Sequence, residues 1–384
     1  MTLISAGTMV LDGRVCRPGW LEFAAGRVVA CGAGAPPRPV DAEFPDAVVV
    51  PGFVDMHVHG GGGASYTDGV EAEVSRAAAF HLRHGTTTTV ASLVTASPSE
   101  LLGTVRVLSE QVGNGTLAGI HLEGPWLSSA RCGAHDATQL RDPDPGEIAA
   151  VLAAGNGAIR MVTLAPELEG GVEAVRRLVD GGVVVAIGHT DATYEQTTRA
   201  LAAGATVGTH IFNAMRPLHH REPGPALALL EDPRVTVEVV ADGVHVHPAL
   251  VRQVMEVAGP ERVSLITDAM SAAGMTDGFY RLGTLEVEVE QQVARVRGTS
   301  TVAGSTATMD ELFRTALRMR GGIASDSALV AAVDMTSTTP ARALGLADVG
   351  ALRVGRRADL VVLDSNGSVL DVLLGGYWRL RSTV

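Results

Sequence analysis

The chain has 384 residues and a formal net charge of −12, with 46% hydrophobic and 19% charged residues. This composition is typical of a globular α/β protein with enough residues for a large core. The acidic balance argues against a nucleic-acid partner. No apolar run approaches the roughly 20 residues that span a bilayer, so we expect no membrane partner.

Cysteine and lysine usage exclude further classes of chemistry. Cys16, Cys31 and Cys132 are few, scattered and odd in number, which predicts a reducing, cytoplasmic compartment without a disulfide framework. The first residues lack a basic segment followed by an apolar one, so we expect no signal peptide. All 30 basic residues are arginines. A lysine Schiff base, a lysine general base and a carboxylated lysine that bridges two metals are therefore excluded.

The first 50 residues contain short strands and glycine turns without helices, whereas the next 300 alternate between strands and helices. Apolar, β-branched runs lie at 48–57, 85–94, 116–124, 159–166, 182–189, 205–213, 235–243 and 263–270. Such alternation predicts a parallel sheet covered by helices. Eight units over about 250 residues favour a (β/α)₈ barrel of the TIM type. An open doubly wound sheet is the alternative. His81 and His84, in the helical segment 70–85, are predicted to lie on its solvated face.

The last part of the chain returns to short strands. Residues 280–300 predict a β-hairpin insertion, and residues 348–384 contain strands with turn signals. We therefore expect three segments: the N-terminal part of a small β-sandwich domain (1–50), the barrel (51–347) and the C-terminal part of the sandwich (348–384).

Polar side chains interrupt the apolar runs where the predicted barrel strands end. In a barrel, active-site groups come from these carboxyl ends. Two histidines separated by one residue in a strand point to the same face, and the glycines at 60–63 let the chain turn beside them. Six such positions are too costly to bury by accident, and imidazole and carboxylate groups are divalent-metal ligands. The predicted metal-site residues are His57, His59, Glu123, His189, His210 and Asp268.

These residues stand in motifs that resemble a known family. The HxH pattern at the end of strand 1 resembles the amidohydrolase superfamily. Within it, the chain resembles the N-acetylglucosamine-6-phosphate deacetylase family from about residue 51 to residue 305. The segments that carry this resemblance are HLEGPW (121–126), GHTDAT (188–193), THIFNAM (209–215), REPG (221–224), ADGVHV (241–246) and ITDAM (266–270).

The resemblance implies a reaction and a cofactor. The expected reaction is metal-dependent hydrolysis of the acetamide of N-acetyl-D-glucosamine 6-phosphate to D-glucosamine 6-phosphate and acetate, in amino-sugar catabolism and cell-wall sugar recycling. A hydroxide on the metal would attack the carbonyl, with Asp268 as general base and then acid and His245 stabilising the oxyanion. The metal would be zinc, with iron, manganese or cobalt as alternatives, and one or two ions would bind. Without lysine, Glu123 must bridge if two ions bind.

The resemblance also implies substrate contacts. These are Ala134, His135, Asn213, Ala214, Arg221, His245, Val302, Ala303 and Gly304. Arg221 is expected to reach the phosphate in the neighbouring subunit of a homodimer. Cys132 is expected to be an inert loop thiol, with a lid residue over the substrate as the alternative.

Two other functions stay open at this point. One is an amidohydrolase of the aminoacylase, hydantoinase or dihydroorotase type. Many binuclear members of that type use a carboxylated lysine, which this chain lacks. The other is a non-catalytic protein that binds a metal or a sugar phosphate, because a fold by itself does not specify a reaction.

Overall fold

The computed structural model describes residues 1–380, which form two compact units. One unit contains Met1–Asp55, His81–Thr88 and the residues from Thr308 onward. The other contains Met56–Phe80 and Thr89–Ala307. The domain boundaries predicted at residues 50 and 347 stay a prediction.

Five strands form the start of the chain. Two hairpins lie in this segment, and their two-residue turns are Asp12–Gly13 and Ala25–Gly26. All four turn residues have positive φ. Two consecutive left-handed residues match the right-handed twist of the flanking strands, which explains the glycines there. The strands are β1 (Thr2–Leu11), β2 (Arg14–Cys16), β3 (Gly19–Ala24), β4 (Arg27–Ala33) and β5 (Ala42–Pro51).

Strands and helices then alternate. In chain order the elements are β6 (Phe53–Val58), β7 (Gly60–Gly61), β8 (Ala64–Ser65), α1 (Glu71–Arg83), β9 (Thr86–Leu93), α2 (Pro98–Gly113), β10 (Gly119–Glu123), α3 (Pro145–Gly155), β11 (Ile159–Leu164), α4 (Gly171–Asp180), β12 (Val184–Ile187), α5 (Tyr194–Ala202), β13 (Val207–Gly208), α6 (Gly224–Glu231), β14 (Thr236–Val239), α7 (Pro248–Ala258) and β15 (Val263–Leu265). Helix α7 shows why these segments are helical: its buried residues recur at the helical spacing 251, 254, 255 and 258.

Eight of these strands form one sheet in the order β6, β9, β10, β11, β12, β13, β14, β15. Neighbouring strands from β9 to β15 all pair in parallel. Just beyond β15 the sheet closes on strand β6, because Asp268 N donates to His57 O at 2.9 Å and His59 N donates to Ala269 O at 2.8 Å. The predicted barrel is confirmed, and the open sheet is not.

The predicted first barrel strand, 48–57, is two strands. Residues 48–51 belong to β5, which pairs with β1 and with a C-terminal strand, and the barrel strand begins at Phe53. Gly52 separates them. A Cβ there would lie 2.0 Å from Thr87 Oγ1, so a larger residue does not fit.

The described residues that follow, up to residue 380, add a small sheet, three α-helices and three further strands. Strands β16 (Gly278–Leu282), β17 (Leu285–Glu290) and β18 (Val293–Val296) form an antiparallel sheet, one strand more than the predicted hairpin. The remaining elements are α8 (Met309–Met319), α9 (Asp326–Val333), α10 (Thr339–Ala343), β19 (Leu360–Leu363), β20 (Val369–Leu374) and β21 (Tyr377–Trp378).

Strands from both termini join in one hydrogen-bonded sheet. Its order is β4, β3, β1, β5, β19, β20, β21, with β2 paired to β1. One apolar cluster combines residues from the two ends of the chain, among them Ile4, Leu21, Val49, Leu360 and Leu373. The small β-domain predicted from both termini is therefore confirmed.

The prediction that His81 lies on the solvated face of helix α1 is wrong. His81 is fully buried rather than solvated. His84 is partly exposed, and its Nδ1 lies 3.1 Å from Asp310 Oδ1. The sequence pattern does not show this pairing because Asp310 lies more than 200 residues away in the chain.

Among residues 1–380, no helix combines the length and the hydropathy that crossing a bilayer requires.

We expect the Asp310 carboxylate to stabilise the unit that contains it. Burial raises the pKa of Asp310, but hydrogen bonds from His84, Thr308 and Arg314 outweigh burial and lower the pKa to about 2. Asp310→Asn should therefore reduce the free energy of unfolding at pH 7 by about 2 kcal/mol. Because the folded-state pKa is depressed, this stabilisation is present above about pH 4 and disappears as the pH falls towards 2.

Urea unfolding of the variant and the wild-type protein at pH 7 and at low pH measures this effect. Glu173→Gln is the control, because Glu173 forms an exposed ion pair with Arg177 that contributes little. An equal loss of stability in both variants at pH 7, or a difference that persists at pH 2, contradicts the prediction.

Candidate metal centre

The two histidines of strand β6 face one carboxylate. His57 Nε2 and His59 Nε2 lie 3.2 Å apart. Glu123, the last residue of β10, places Oε1 3.4 Å from His57 Nε2 and Oε2 3.2 Å from His59 Nε2. These three residues are buried, and their ligand atoms are close enough to hold one ion.

A second histidine pair faces the same carboxylate. His189 Nε2 and His210 Nε2 lie 3.1 Å apart. They lie 3.1 Å and 2.9 Å from Glu123 Oε1. This trio is also buried and also suits one ion. Because Glu123 belongs to both groups, the geometry suits one ion or two ions bridged by Glu123.

The electrostatics suit a cation. Burial alone would lower the pKa of His57, but the carboxylates of Glu123 and Glu238 outweigh it and raise that pKa. Burial likewise opposes the shift at His59, yet Asp268 and Glu123 raise its pKa to about 9. Burial raises the pKa of Glu123, and the surrounding histidines lower it well below its usual range. The Glu123 carboxylate is therefore ionised, a divalent ion would balance its charge, and the residues present fit a metal.

In His57 and His189, a hydrogen bond made by Nδ1 fixes the orientation of the ring and therefore of Nε2. His57 Nδ1 donates to Glu238 Oε2 at 3.1 Å, and His189 Nδ1 donates to the carbonyl oxygen of Arg131 at 3.0 Å. With Nδ1 engaged in this way, Nε2 is the nitrogen of each ring that faces Glu123 and is available to bind a metal. Metal-binding histidines are commonly held in this way.

Asp268 lies between the strand β6 histidines and a second carboxylate–histidine pair. Its Oδ1 is 3.2 Å from His59 Nε2, and its Oδ2 is 3.8 Å from His245 Nε2. His245 Nδ1 donates to Asp242 Oδ2 at 2.7 Å. Burial would lower the pKa of His245, but Asp242 and Asp268 raise it. Burial would raise the pKa of Asp268, but His59 and His57 lower it, so the carboxylate is ionised.

His135 contacts Glu123 as a hydrogen-bond donor. Thr95 N donates to His135 Nδ1 at 3.2 Å, which leaves the hydrogen on Nε2, 3.5 Å from Glu123 Oε2. Burial and the charge of His189 lower the pKa of His135 to about 4. His135 is therefore neutral and steadies the Glu123 carboxylate.

Most predicted site residues line one cavity of about 260 Å³. From the metal centre these are His59, Glu123, His189, His210 and Asp268; from the predicted substrate contacts they are Ala134, His135, Asn213, Ala214, His245, Val302 and Gly304. Leu282, at the end of β16, lies among them and was not predicted.

The remaining predicted residues lie elsewhere. His57 is fully buried behind the cavity surface, and Ala303 packs in an apolar cluster with Ala134, Met270 and Leu282. Arg221 is exposed, with its guanidinium 2.8 Å from His220 Nε2. Cys132 is half-buried and donates to the carbonyl oxygen of His135 at 3.0 Å, and burial raises the pKa of its thiol. The expectation of an inert thiol stays a prediction.

The sequence reasoning missed two carboxylates that hold site histidines. Glu238 interrupts the apolar run VTVEVV, and Asp242 stands where strand 7 was predicted to end. Both are, like Asp268, polar residues within an apolar run that predicts a barrel strand. Glu238 also accepts a hydrogen bond from His210 N at 3.2 Å, so it contacts residues on either side of the centre.

Comparison with known proteins agrees with this geometry. The model of the amidohydrolase family matches residues 48–379. The chain belongs to this family. An N-acetylgalactosamine-6-phosphate deacetylase from Escherichia coli O157:H7 is 36% identical over 96% of this chain and 98% of its own. An N-acetylglucosamine-6-phosphate deacetylase from Bacillus subtilis is 33% identical over 97% of this chain and 96% of its own.

Solved structures show the same fold. N-acetyl-D-glucosamine-6-phosphate deacetylase from Mycobacterium smegmatis superposes with a TM-score of 0.97 at 56% identity, covering 99% of this amidohydrolase and 100% of that chain. A mutant of that enzyme in complex with N-acetyl-D-glucosamine-6-phosphate gives a TM-score of 0.96, with 98% of both chains covered. The resemblance inferred from the motifs is confirmed.

We expect Glu238→Gln to weaken metal binding. The amide can still face His57 Nδ1, but without the negative charge it holds the ring less firmly and favours a cation less. Loss of such a supporting group costs about 10- to 100-fold in metal affinity. Competition with a chromophoric zinc chelator measures this. Glu290→Gln, an exposed position on β17, is the control. Equal zinc affinity of the two variants would show that Glu238 does not support the centre.

Proposed function

We propose that this amidohydrolase removes the acetyl group from N-acetyl-D-glucosamine 6-phosphate, giving D-glucosamine 6-phosphate and acetate. The supporting observation is the cavity itself, which combines a carboxylate shared by two histidine pairs with Asp268 and His245 at its wall. A relative at 56% identity is a deacetylase of this sugar phosphate. The reaction would serve amino-sugar catabolism and the recycling of cell-wall sugars.

The metal would be held by the two groups that share Glu123. Imidazole and carboxylate ligands suit zinc, which we propose, with iron, manganese or cobalt as alternatives. A divalent ion supplies Lewis acidity, which makes water a stronger acid and polarises an amide carbonyl. His57, His59 and Glu123 would hold one ion, and Glu123, His189 and His210 would hold it or a second one.

Asp268 would move the proton. As a carboxylate at the cavity wall it can accept a proton from the attacking water as the new C–O bond forms at the acetyl carbon. It then delivers that proton to the nitrogen as the C–N bond breaks, because an unprotonated amine anion is a poor leaving group. Water and amide are consumed, and acetate and amine are produced.

His245 would stabilise the negative charge that develops on the carbonyl oxygen. Its Nδ1 hydrogen is engaged by Asp242, so its other nitrogen faces the cavity beside Asp268. Because Asp242 and Asp268 raise the pKa of His245 against the effect of burial, the ring carries a hydrogen on that nitrogen more readily. A hydrogen-bond donor held at this position is an effective oxyanion partner.

Phosphate recognition would involve a second copy of the chain. Within residues 1–380, the residues that line the cavity include no arginine. Asn213 and Ala214 form a turn at its wall, and the exposed Arg221 belongs to the loop that follows. We propose a homodimer in which Arg221 reaches the phosphate in the partner's site, where its planar guanidinium can bind two phosphate oxygens.

A second substrate has a specific observation in its favour. The relative from Escherichia coli O157:H7 is a deacetylase of N-acetylgalactosamine 6-phosphate. The two sugars differ in the orientation of one hydroxyl, so both belong in the test. For the cell compartment we propose the cytoplasm, because Cys16, Cys31 and Cys132 are all free thiols.

Acetate release tests the proposal. Zinc-loaded protein should release acetate from N-acetylglucosamine 6-phosphate and far more slowly from unphosphorylated N-acetylglucosamine, and a chelator should abolish release. N-acetylgalactosamine 6-phosphate is assayed beside them. Asp268→Asn should lower kcat by at least about 100-fold, because proton transfer contributes that much or more, while retaining bound zinc.

The controls separate the alternatives. Release from neither sugar phosphate by zinc-loaded protein would reject the deacetylase and point to another amide substrate or a binding role. Normal turnover by Asp268→Asn would remove Asp268 from the reaction.

The dimer is tested by complementation. Arg221→Met should raise KM for the phosphorylated sugar, since the phosphate loses its cation. In a mixed dimer with Asp268→Asn, the Arg221→Met subunit has an intact Asp268 and receives Arg221 from its partner. Mixing the two variants under conditions of subunit exchange should therefore restore activity at low substrate concentration.

The contrary result is equally clear. If Arg221 serves its own subunit, every site of the mixed dimer is defective and mixing restores nothing. A wild-type protein that sediments as an active monomer would also reject the shared site.

A further inference from the structure

Asp191 lies between two arginines. Arg131 Nε and Nη2 each lie 2.8 Å from Asp191 Oδ1, and Arg216 Nη2 lies 2.8 Å from Oδ2. Arg216 Nε also donates to the backbone oxygen of Asp191 at 2.8 Å. The three side chains are 27–31% exposed, so the ion pairs contribute little to overall stability. These ion pairs instead fix the positions of the two arginines, each of which contacts another part of the site.

Arg131 connects Asp191 to the metal centre. The carbonyl oxygen of Arg131 accepts the Nδ1 hydrogen of His189, so Nε2 is the nitrogen that faces Glu123. Ser128 N donates to the oxygen of His189 at 2.9 Å, so the turn 128–131 is bonded to His189 twice. Gly133 permits this approach, because a Cβ there would lie 2.9 Å from His189 Cε1. The position of Arg131 therefore sets the orientation of the His189 ring.

Arg216 connects Asp191 to the Asn213–Ala214 turn. Arg216 N donates to Thr190 O, and Thr190 N donates to Ala214 O, each at 3.0 Å. Ala214 has a φ of 48°, a conformation that a non-glycine residue keeps only when its surroundings hold it. The side-chain contacts of Arg216 to Asp191 hold this turn from the other side.

Asp191 itself is anchored separately. Glu167, in the loop after β11, accepts hydrogen bonds from Asp191 N and from the hydroxyl of Thr190, each at 2.5 Å. These bonds do not involve either arginine. The Asp191 backbone is thus held independently of the arginines. From this position its carboxylate binds the long side chains of Arg131 and Arg216.

We propose that Asp191 is a positioning residue that holds the metal ligand His189 through Arg131 and the substrate-contact turn Asn213–Ala214 through Arg216. The Arg131 branch concerns the metal centre alone. The Arg216 branch rests on the proposed function, because only turnover of the sugar phosphate reports on that turn.

Three variants separate the branches, namely Asp191→Asn, Arg131→Met and Arg216→Met. Asp232→Asn is the matched control, because Asp232 is also an aspartate paired with an arginine, Arg234. Zinc affinity is measured by chelator competition, and the absorption spectrum of the cobalt-loaded protein reports ligand geometry. Asp191→Asn and Arg131→Met should each weaken zinc binding about tenfold or more and change the cobalt spectrum.

The double variant Asp191→Asn/Arg131→Met should bind zinc no more weakly than Asp191→Asn alone, because both changes break one connection. Arg216→Met should keep zinc affinity and raise KM for the phosphorylated sugar several-fold with kcat nearly unchanged. Asp191→Asn should show both defects, and Asp232→Asn neither.

Zinc affinity and cobalt spectrum of Asp191→Asn and Arg131→Met equal to those of Asp232→Asn would overturn the proposal. If Asp191→Asn does not fold, Arg131→Met decides the metal branch. If the wild-type protein turns over no sugar phosphate, the proposed function fails, while chelator competition still decides whether Asp191 holds His189.

Discussion

The carboxylate of Glu123 is the group on which the site depends. Its Oε1 faces His189 and His210, and its Oε2 faces His59. One carboxylate between two pairs of imidazoles lets the barrel gather four histidines around a negative charge. Because the chain contains no lysine, a carboxylated lysine cannot take this place. Glu123 belongs to both groups of possible metal ligands and stands at the end of a strand that the neighbouring strands hold on both sides.

A layer of polar residues lies beneath this carboxylate. Their hydrogen bonds offset the free-energy cost of burying polar groups here. His121 lies between Ser92 Oγ at 2.9 Å and Thr163 Oγ1 at 2.8 Å, and burial followed by the charge of His57 lowers the pKa of His121 well below its usual value. It is thus a neutral, hydrogen-bonded residue rather than a further ligand. Glu238 supports His57 through its Nδ1, and the carbonyl oxygen of Arg131 supports His189 in the same way.

The backbone contributes as much as the side chains. His189, His210 and Asp268 lie just beyond the ends of their strands with φ of 46°, 25° and 49°. This left-handed conformation is unfavourable for residues with a Cβ, and it recurs where function requires a particular side-chain direction. The hydrogen bond from Asp268 N to His57 O both closes the barrel and holds Asp268 in this conformation. One hydrogen bond therefore contributes both to the closure of the sheet and to the position of Asp268.

Much of this protein could be predicted from its sequence, because the carboxyl ends of parallel strands meet at one mouth of a barrel. Alternating strands and helices indicated the barrel, and polar residues at the strand ends indicated the residues that now lie around Glu123. Pairing partners were decided only by the tertiary structure. Glu238 is 181 residues from His57, and no local pattern connects them. The break at Gly52, the burial of His81 and the Asp191 contacts likewise depend on which atoms meet after the sheet closes.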